Sequence, residues 1–202
     1  MKKLLVLVIA MLMTVSLFAQ EEQAASTDSK FLVNATMPLF SMSSMKADVT
    51  GAKAQTSMGF GLNLGQADIM LGYKVIPNLY VVFTAGFEME SNKTEDADKV
   101  DSSETTISVG VGARYDIMPN LYAGAAFMFG KVSEEALEED AGSTQMMGPH
   151  VFFGYDFPLS ATVKAGVQGN FTYIMASHKL GDATTDEAGW DAGLAASLTF
   201  AF

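Results

Sequence analysis

From Phe31 to Phe202 apolar side chains recur at every second residue, in segments longer than soluble strands usually run. That period excludes amphipathic helices and demands long β-strands. In Thr105 to Ile117, Ile107, Val109, Val111, Ala113, Tyr115 and Ile117 share one face. Thr106, Ser108, Gly110, Gly112, Arg114 and Asp116 share the other. The last segment repeats the pattern: Trp190, Ala192, Leu194, Ala196, Leu198, Phe200 and Phe202 oppose Asp191, Gly193, Ala195, Ser197, Thr199 and Ala201. Segments 147–157 and 162–175 alternate likewise.

The strands come in pairs. Tyr73-Lys74-Val75-Ile76-Pro77-Asn78-Leu79-Tyr80 returns 42 residues later as Tyr115-Asp116-Ile117-Met118-Pro119-Asn120-Leu121-Tyr122. A degenerate copy starts at Tyr155. Pro-Asn is turn chemistry, because Pro presets its own φ and Asn tolerates a reversed backbone. Short uncharged turns at 77–78, 119–120 and 158–160 alternate with long, mostly acidic connections at 46–57, 91–104, 134–144 and 176–188. Three turns and four loops require eight strands. They are placed at 31–45, 58–76, 79–90, 105–118, 121–133, 145–157, 162–175 and 189–202. The fold class is all-β, an eight-stranded antiparallel up-and-down barrel. Two stretches fit poorly. Residues 58–76 change phase, which a bulge near Gly65–Ala67 would reconcile. The first strand is weakly patterned and contains Pro38.

Alternation also suits a secreted soluble barrel with its apolar face inward. Four features choose a transmembrane barrel instead. Aromatics sit at both ends of the apolar faces, with Tyr73, Tyr115, Tyr155 and Phe157 by the turns and Phe87, Phe129, Tyr173 and Trp190 towards the loops. The polar faces are rich in Gly, Ala, Ser and Thr, which suit a narrow lumen. The loops are long at one rim and minimal at the other. The last strand alternates up to Phe202. A closed barrel satisfies every backbone group internally, so a lipid-facing exterior becomes possible.

Residues 1–19 read as a secretory signal: Lys2 and Lys3, an apolar run from Leu4 to Met13, and small residues up to Ala19. Removing them takes the net charge from −11 to −13. Residues 20–30 read as a flexible periplasmic lead-in, and 31–202 as the barrel. The acidity argues against nucleic acid as a partner. The absence of Cys excludes disulfides, thiolate metal sites and a lipid-anchored Cys.

The leader, the alternating segments and the terminal Leu198-Thr199-Phe200-Ala201-Phe202 resemble the outer-membrane β-barrels of the OmpX and OmpA transmembrane type. The resemblance covers residues 31–202 and rests on pattern. It implies a monomer in outer-membrane lipid of a diderm bacterium, with the loops outside. It also implies that Phe202 is read by the barrel-assembly machinery.

The inward faces carry Lys74, Glu88, Arg114, Asp116, Asp156, Lys164 and Asp191. Such charges are expected to pair and plug the lumen, since an unpaired one is costly there. An ion or proton path is the alternative, but eight strands leave an interior just wide enough for side chains. Neither a catalytic group, a cofactor nor a metal is assigned. His150 falls on the polar face of the segment 147–157, and His178 is read as a solvated loop residue. Ser177, His178 and Glu187 carry no motif that would make them a lipid-A-modifying centre. Asp96, Asp98 and Asp101 match a calcium loop only in part, lacking its Gly and spaced Glu. The acidic clusters at 95–104 and 134–140 are read as soluble loops. Met42, Met45, Met146 and Met147 are apolar filling. The function expected is a non-enzymatic envelope protein whose loops serve structure or adhesion. A small pore is the alternative, and a lipid-A enzyme stands behind both.

Overall fold

A computed structural model describes residues 29–47, 55–60, 66–92, 102–135, 143–180 and 183–202; the proposed leader and lead-in fall almost entirely outside them. The regular elements are strands: β1 (Phe31–Ala47), β2 (Gln55–Phe60), β3 (Gln66–Ile76), β4 (Leu79–Asn92), β5 (Ser102–Met118), β6 (Leu121–Glu135), β7 (Ser143–Pro158), β8 (Val163–Leu180) and β9 (Ala183–Ala201). All pairings are antiparallel, and β1 pairs with β9 to close the sheet.

Nine strands make eight staves. β2 pairs with Phe40–Met45 of β1, and β3 pairs with Phe31–Thr36 of the same strand. The two therefore share one stave, where a single strand at 58–76 was expected. The physical reason is phase. Met58 and Phe60 have the opposite parity to Ile69, Leu71, Tyr73 and Val75, so one unbroken strand could not turn both sets outward. The expected bulge near Gly65–Ala67 falls partly outside the described residues. β1 carries its own irregularity, a register shift between Pro38 and Phe40. It moves the inward set from Leu32, Asn34 and Thr36 to Ser41 and Ser43, which is why β1 looked poorly patterned. A bulge is also where a strand can hold Pro, which has no N–H to give to the ladder.

The repeated motif twice places a bulge ahead of a two-residue turn. Val75 and Ile117 are both bulged, followed by the two-residue turns Pro77–Asn78 and Pro119–Asn120. Asn78 takes φ 66°, a left-handed conformation that Asn accepts more readily than most residues. The Asn78 and Asn120 carbonyls each accept from the Asp that opens the next hairpin, Asp116 and Asp156, at 2.8 Å. The third connection is held by Ser160, whose Oγ accepts from Val163 N–H at 3.1 Å.

The outer connections are shorter than the acidic runs suggested. The region 176–188, expected as a loop, is mostly hairpin, because β8 runs to Leu180 and β9 starts at Ala183. A strand of 17 residues, such as β5, rises roughly 40 Å when tilted, beyond the ~25 Å apolar band of an outer-membrane barrel. The exposed Lys131, Ser133 and Gln145 fall in that polar extension.

Candidate functional site

The side chains divide by parity. Val109, Val111, Phe153 and Leu194 are exposed on the outer wall, Phe153 at 63%. Arg114 and Asp156, from alternate positions on the same strands, are 2% and 0% exposed. Charge is inside and hydrocarbon-like surface is outside, the reverse of a soluble ligand carrier. Exposed Tyr73, Tyr115, Tyr155 and Phe157 ring the turn end, and Phe129, Phe171 and Tyr173 lie towards the loops. Phe171 stacks on Trp190 at 6.4 Å.

The turn-end lumen holds a network centred on Arg114. Its Nε donates to Asp116 at 2.9 Å and its Nη2 to Asp156 at 3.3 Å. The guanidinium lies 3.6 Å from the centre of the Tyr122 ring, a cation–π contact. Asp156 also accepts from Thr199 at 3.4 Å, and Thr199 Oγ1 accepts from Asn34 Nδ2 at 2.8 Å. Tyr122 donates to Gln168 at 3.0 Å. Leu32, Met70, Tyr80, Val82, Tyr122 and Phe152 form a buried apolar cluster inside the barrel.

Glycine on the facing strand makes room for each bulky group. Tyr122 lies directly opposite Gly154, and Phe152 opposite Gly124. A Cβ at Gly154 would strike the Tyr122 ring, and one at Gly124 the Phe152 ring. Aromatic–glycine pairing of this kind pins register. Gly154→Val is expected to destabilise the barrel by roughly 1–3 kcal/mol through overpacking. Because both residues claim one space, the double variant with Tyr122→Ala should lose less than the two single losses added. Urea unfolding midpoints in detergent decide it, and strict additivity would reject the pairing.

The seven charged residues anticipated inside divide into two groups. Arg114, Asp116 and Asp156 meet directly. Lys164 Nζ donates to the Pro119 carbonyl at 2.8 Å, and Lys74 lies 5.6 Å from the Tyr80 ring centre. Glu88 and Asp191 belong to the loop-side half. Glu88 faces Thr106 in register, and Asp191 faces Thr172. Asp68, on β3, was missed although it shares the inward parity of Lys74. The supposed phase change hid it. Gln168 and Thr199 were legible only as polar-face residues, since their partners come from other strands, and Asn34 lies on the weakly patterned first strand.

His150 is on a strand, as its segment's alternation placed it, and His178, expected in a loop, is on a strand too. His150 projects into the lumen, where its Nδ1 is 2.8 Å from Thr172 Oγ1. His178 lies on β8 with Nδ1 2.7 Å from Thr144 Oγ1. Ser177 cannot assist His178, because successive residues of a strand point to opposite faces. Among the described residues no group of three or more His, Cys, Asp or Glu is placed to hold a metal ion. Residues 93–101 and 136–142, which hold most of the acidic clusters, lie outside the described residues. Phe202 sits at the closing seam. Its N–H donates to the Phe31 carbonyl at 3.0 Å, and its carbonyl accepts from Phe31 N–H at 2.7 Å.

No protein-family model matches the chain, and no curated protein matches it. Solved structures do. Neisserial surface protein A (NspA) aligns with a TM-score of 0.51 at 16% identity, over 85% of this chain and 97% of that one. OprG from Pseudomonas aeruginosa, an outer membrane protein, gives 0.45 at 15% identity, over 85% and 96%. Ail, the attachment invasion locus protein of Yersinia pestis, gives 0.43 at 14%, over 84% and 99%. The likeness is one of fold. With its apolar exterior, closed seam and eight antiparallel staves, the chain has the fold of a small outer-membrane β-barrel such as NspA.

Proposed function

We propose that the chain is a non-enzymatic outer-membrane protein of a diderm bacterium. Its sealed barrel anchors acidic connections at the cell surface, for envelope structure or adhesion. The observation that carries this reading is the buried Arg114–Asp116–Asp156 network across the turn-end lumen. An ion crossing there would have to displace a guanidinium held by two carboxylates and an aromatic face. The staves then serve as a rigid mount, and what distinguishes this protein from other small barrels lies in its loops. In this reading Phe202, on the strand that closes the barrel, is the contact for the assembly machinery.

Planar-bilayer recording tests the seal. The full chain refolded in detergent and inserted into a bilayer is expected to give no sustained single-channel conductance. Stable, sustained openings would replace the anchor reading with that of a small pore. Mass analysis of lipid A from cells with and without the protein tests the enzymatic alternative, and unchanged lipid A is expected. The geometry favours that result, since each histidine is engaged by a threonine on the facing strand.

A further inference from the structure

The apolar wall does not end at its tyrosines. Beyond Tyr73, Tyr115 and Tyr155 each hairpin carries further exposed apolar side chains towards its turn: Val75 and Ile76, Ile117 and Met118, Phe157 and Leu159. In the first two hairpins these are consecutive residues, which on a regular strand face opposite ways. The bulges remove the conflict. The ladder passes over Val75 and Ile117, so Ile76 falls directly opposite Leu79 and Met118 opposite Leu121. Leu79 in turn lies opposite Tyr115, and Leu121 opposite Tyr155. Directly opposite residues share a face. Ile76 and Met118 are therefore turned onto the outer wall, although plain alternation would give them the inward parity of Lys74 and Asp116. Ile76 is 58% exposed, Met118 61% and Leu159 66%.

Positive charge accompanies this apolar rim. Among the described residues the turn end holds Lys30, Lys74, Arg114 and Lys164 against Asp116 and Asp156. The chain as a whole has 12 Lys and Arg to 23 Asp and Glu, so this end is positive on an acidic protein. Arg114 is engaged by both carboxylates. Lys30, just before Phe31 at the seam, is exposed. Lys164 Nζ reaches the tip of the β5–β6 turn and donates to the Pro119 carbonyl at 2.8 Å, beside Met118 in sequence. An ammonium carries three donors, so that bond leaves two for other acceptors. The tips themselves, 77–78, 119–120 and 158–161, carry no charge.

We propose that the turn end is a binding rim for anionic phospholipid. Ile76, Met118 and Leu159 seat among the acyl chains of the periplasm-facing leaflet, and the Lys30 and Lys164 ammonium groups bind headgroup phosphates. Two observations make lipid the occupant. The rim continues the lipid-facing wall, since Tyr73, Val75 and Ile76 follow one another down one face. It also presents hydrocarbon and then ammonium, the order in which a leaflet presents acyl chain and then phosphate. A lysine suits that boundary, because its stem tolerates hydrocarbon while its charge stays at the interface. The inference rests on the lipid-facing wall. It adds where that wall ends and which class of lipid lies beneath it.

Tryptophan quenching tests the rim, with the full chain refolded into phosphatidylcholine vesicles at high lipid excess. Trp190→Phe removes the single native tryptophan. In that parent one Trp is placed at Val111, Met118 or Leu159. Bromines on the acyl chains should quench all three, and iodide on both sides of the membrane should reach none of them freely. If Val111→Trp escapes bromine, the membrane wall falls and the rim with it. If Val111→Trp is quenched while Met118→Trp and Leu159→Trp respond only to iodide, the wall stands and the rim alone is rejected. Shielding that grows with the protein-to-lipid ratio would assign the surface to a second copy and also overturn the proposal. Moving the bromines from phosphatidylcholine to phosphatidylglycerol at equal mole fraction reads the headgroup. Met118→Trp should report phosphatidylglycerol enriched several-fold, since each lysine near an anionic surface contributes about fivefold. Lys30→Gln combined with Lys164→Gln should abolish the enrichment. So should salt at about 1 M, where the Debye length is about 3 Å. Equal quenching by the two brominated lipids would overturn the assignment to anionic phospholipid.

Discussion

Replacing Arg114 with alanine is expected to destabilise the barrel by about 3–5 kcal/mol, the usual cost of stranding a buried charge. Asp156 is fully buried, and Arg114 is the cation that hydrogen-bonds to it. Without Arg114 it keeps a bond from Thr199 and only the more distant charge of Lys164, while Tyr122 loses the group that covers its ring. Urea unfolding in detergent micelles reads the loss. A second variant separates charge stranding from lost packing. Arg114→Met combined with Asp156→Leu removes both partners and keeps apolar volume, so most of the lost stability should return. A loss below about 1 kcal/mol in Arg114→Ala would place the pair among ordinary exposed ion pairs. The same variant addresses the seal. If the network blocks the lumen, its removal should produce conductance where the parent has none.

Val111→Arg is expected to cost about 2–4 kcal/mol, the penalty for Arg near the bilayer midplane on the lipid face of a barrel. Val111 is 60% exposed and lies between Phe83 and Phe127 in register. Tyr115 stands four residues nearer the turns and Ile107 four nearer the loops, which puts Val111 near the middle of the apolar band. Thr105→Arg, on the same face but close to the outer margin, should cost only about 0–1 kcal/mol. Equilibrium folding into lipid vesicles measures both. In a soluble barrel an exposed Val→Arg change would be nearly neutral at either position. A flat response along β5 would therefore remove the lipid.

The outer wall was readable because it depends on one local rule. Strand side chains alternate, so Val109 and Arg114 are assigned opposite environments without knowledge of any partner strand. The turns were equally readable, since Pro77-Asn78 and Pro119-Asn120 carry their geometry in two residues. The lumen was only half readable. Composition and parity placed Arg114, Asp116 and Asp156 inside. That Arg114 joins Asp116 on its own strand to Asp156 on β7 depends on stave order and stagger. Neither is contained in any single segment. His150 shows the same limit, because the Thr172 that engages it is on β8, 22 residues away in sequence. Asp68 was lost for a different reason. The stave shared by β2 and β3 breaks the phase by which it would have been recognised.

Period, turn chemistry and residue size by themselves determined the number of staves, their up-and-down order and the sense of their faces, because each is a property of neighbours along the chain. Tertiary structure alone decided which inward groups meet. It brought the guanidinium between two carboxylates and laid Tyr122 over Gly154. Those contacts arise only when the sheet closes with one particular stagger, and closure is a cooperative property of all the staves together.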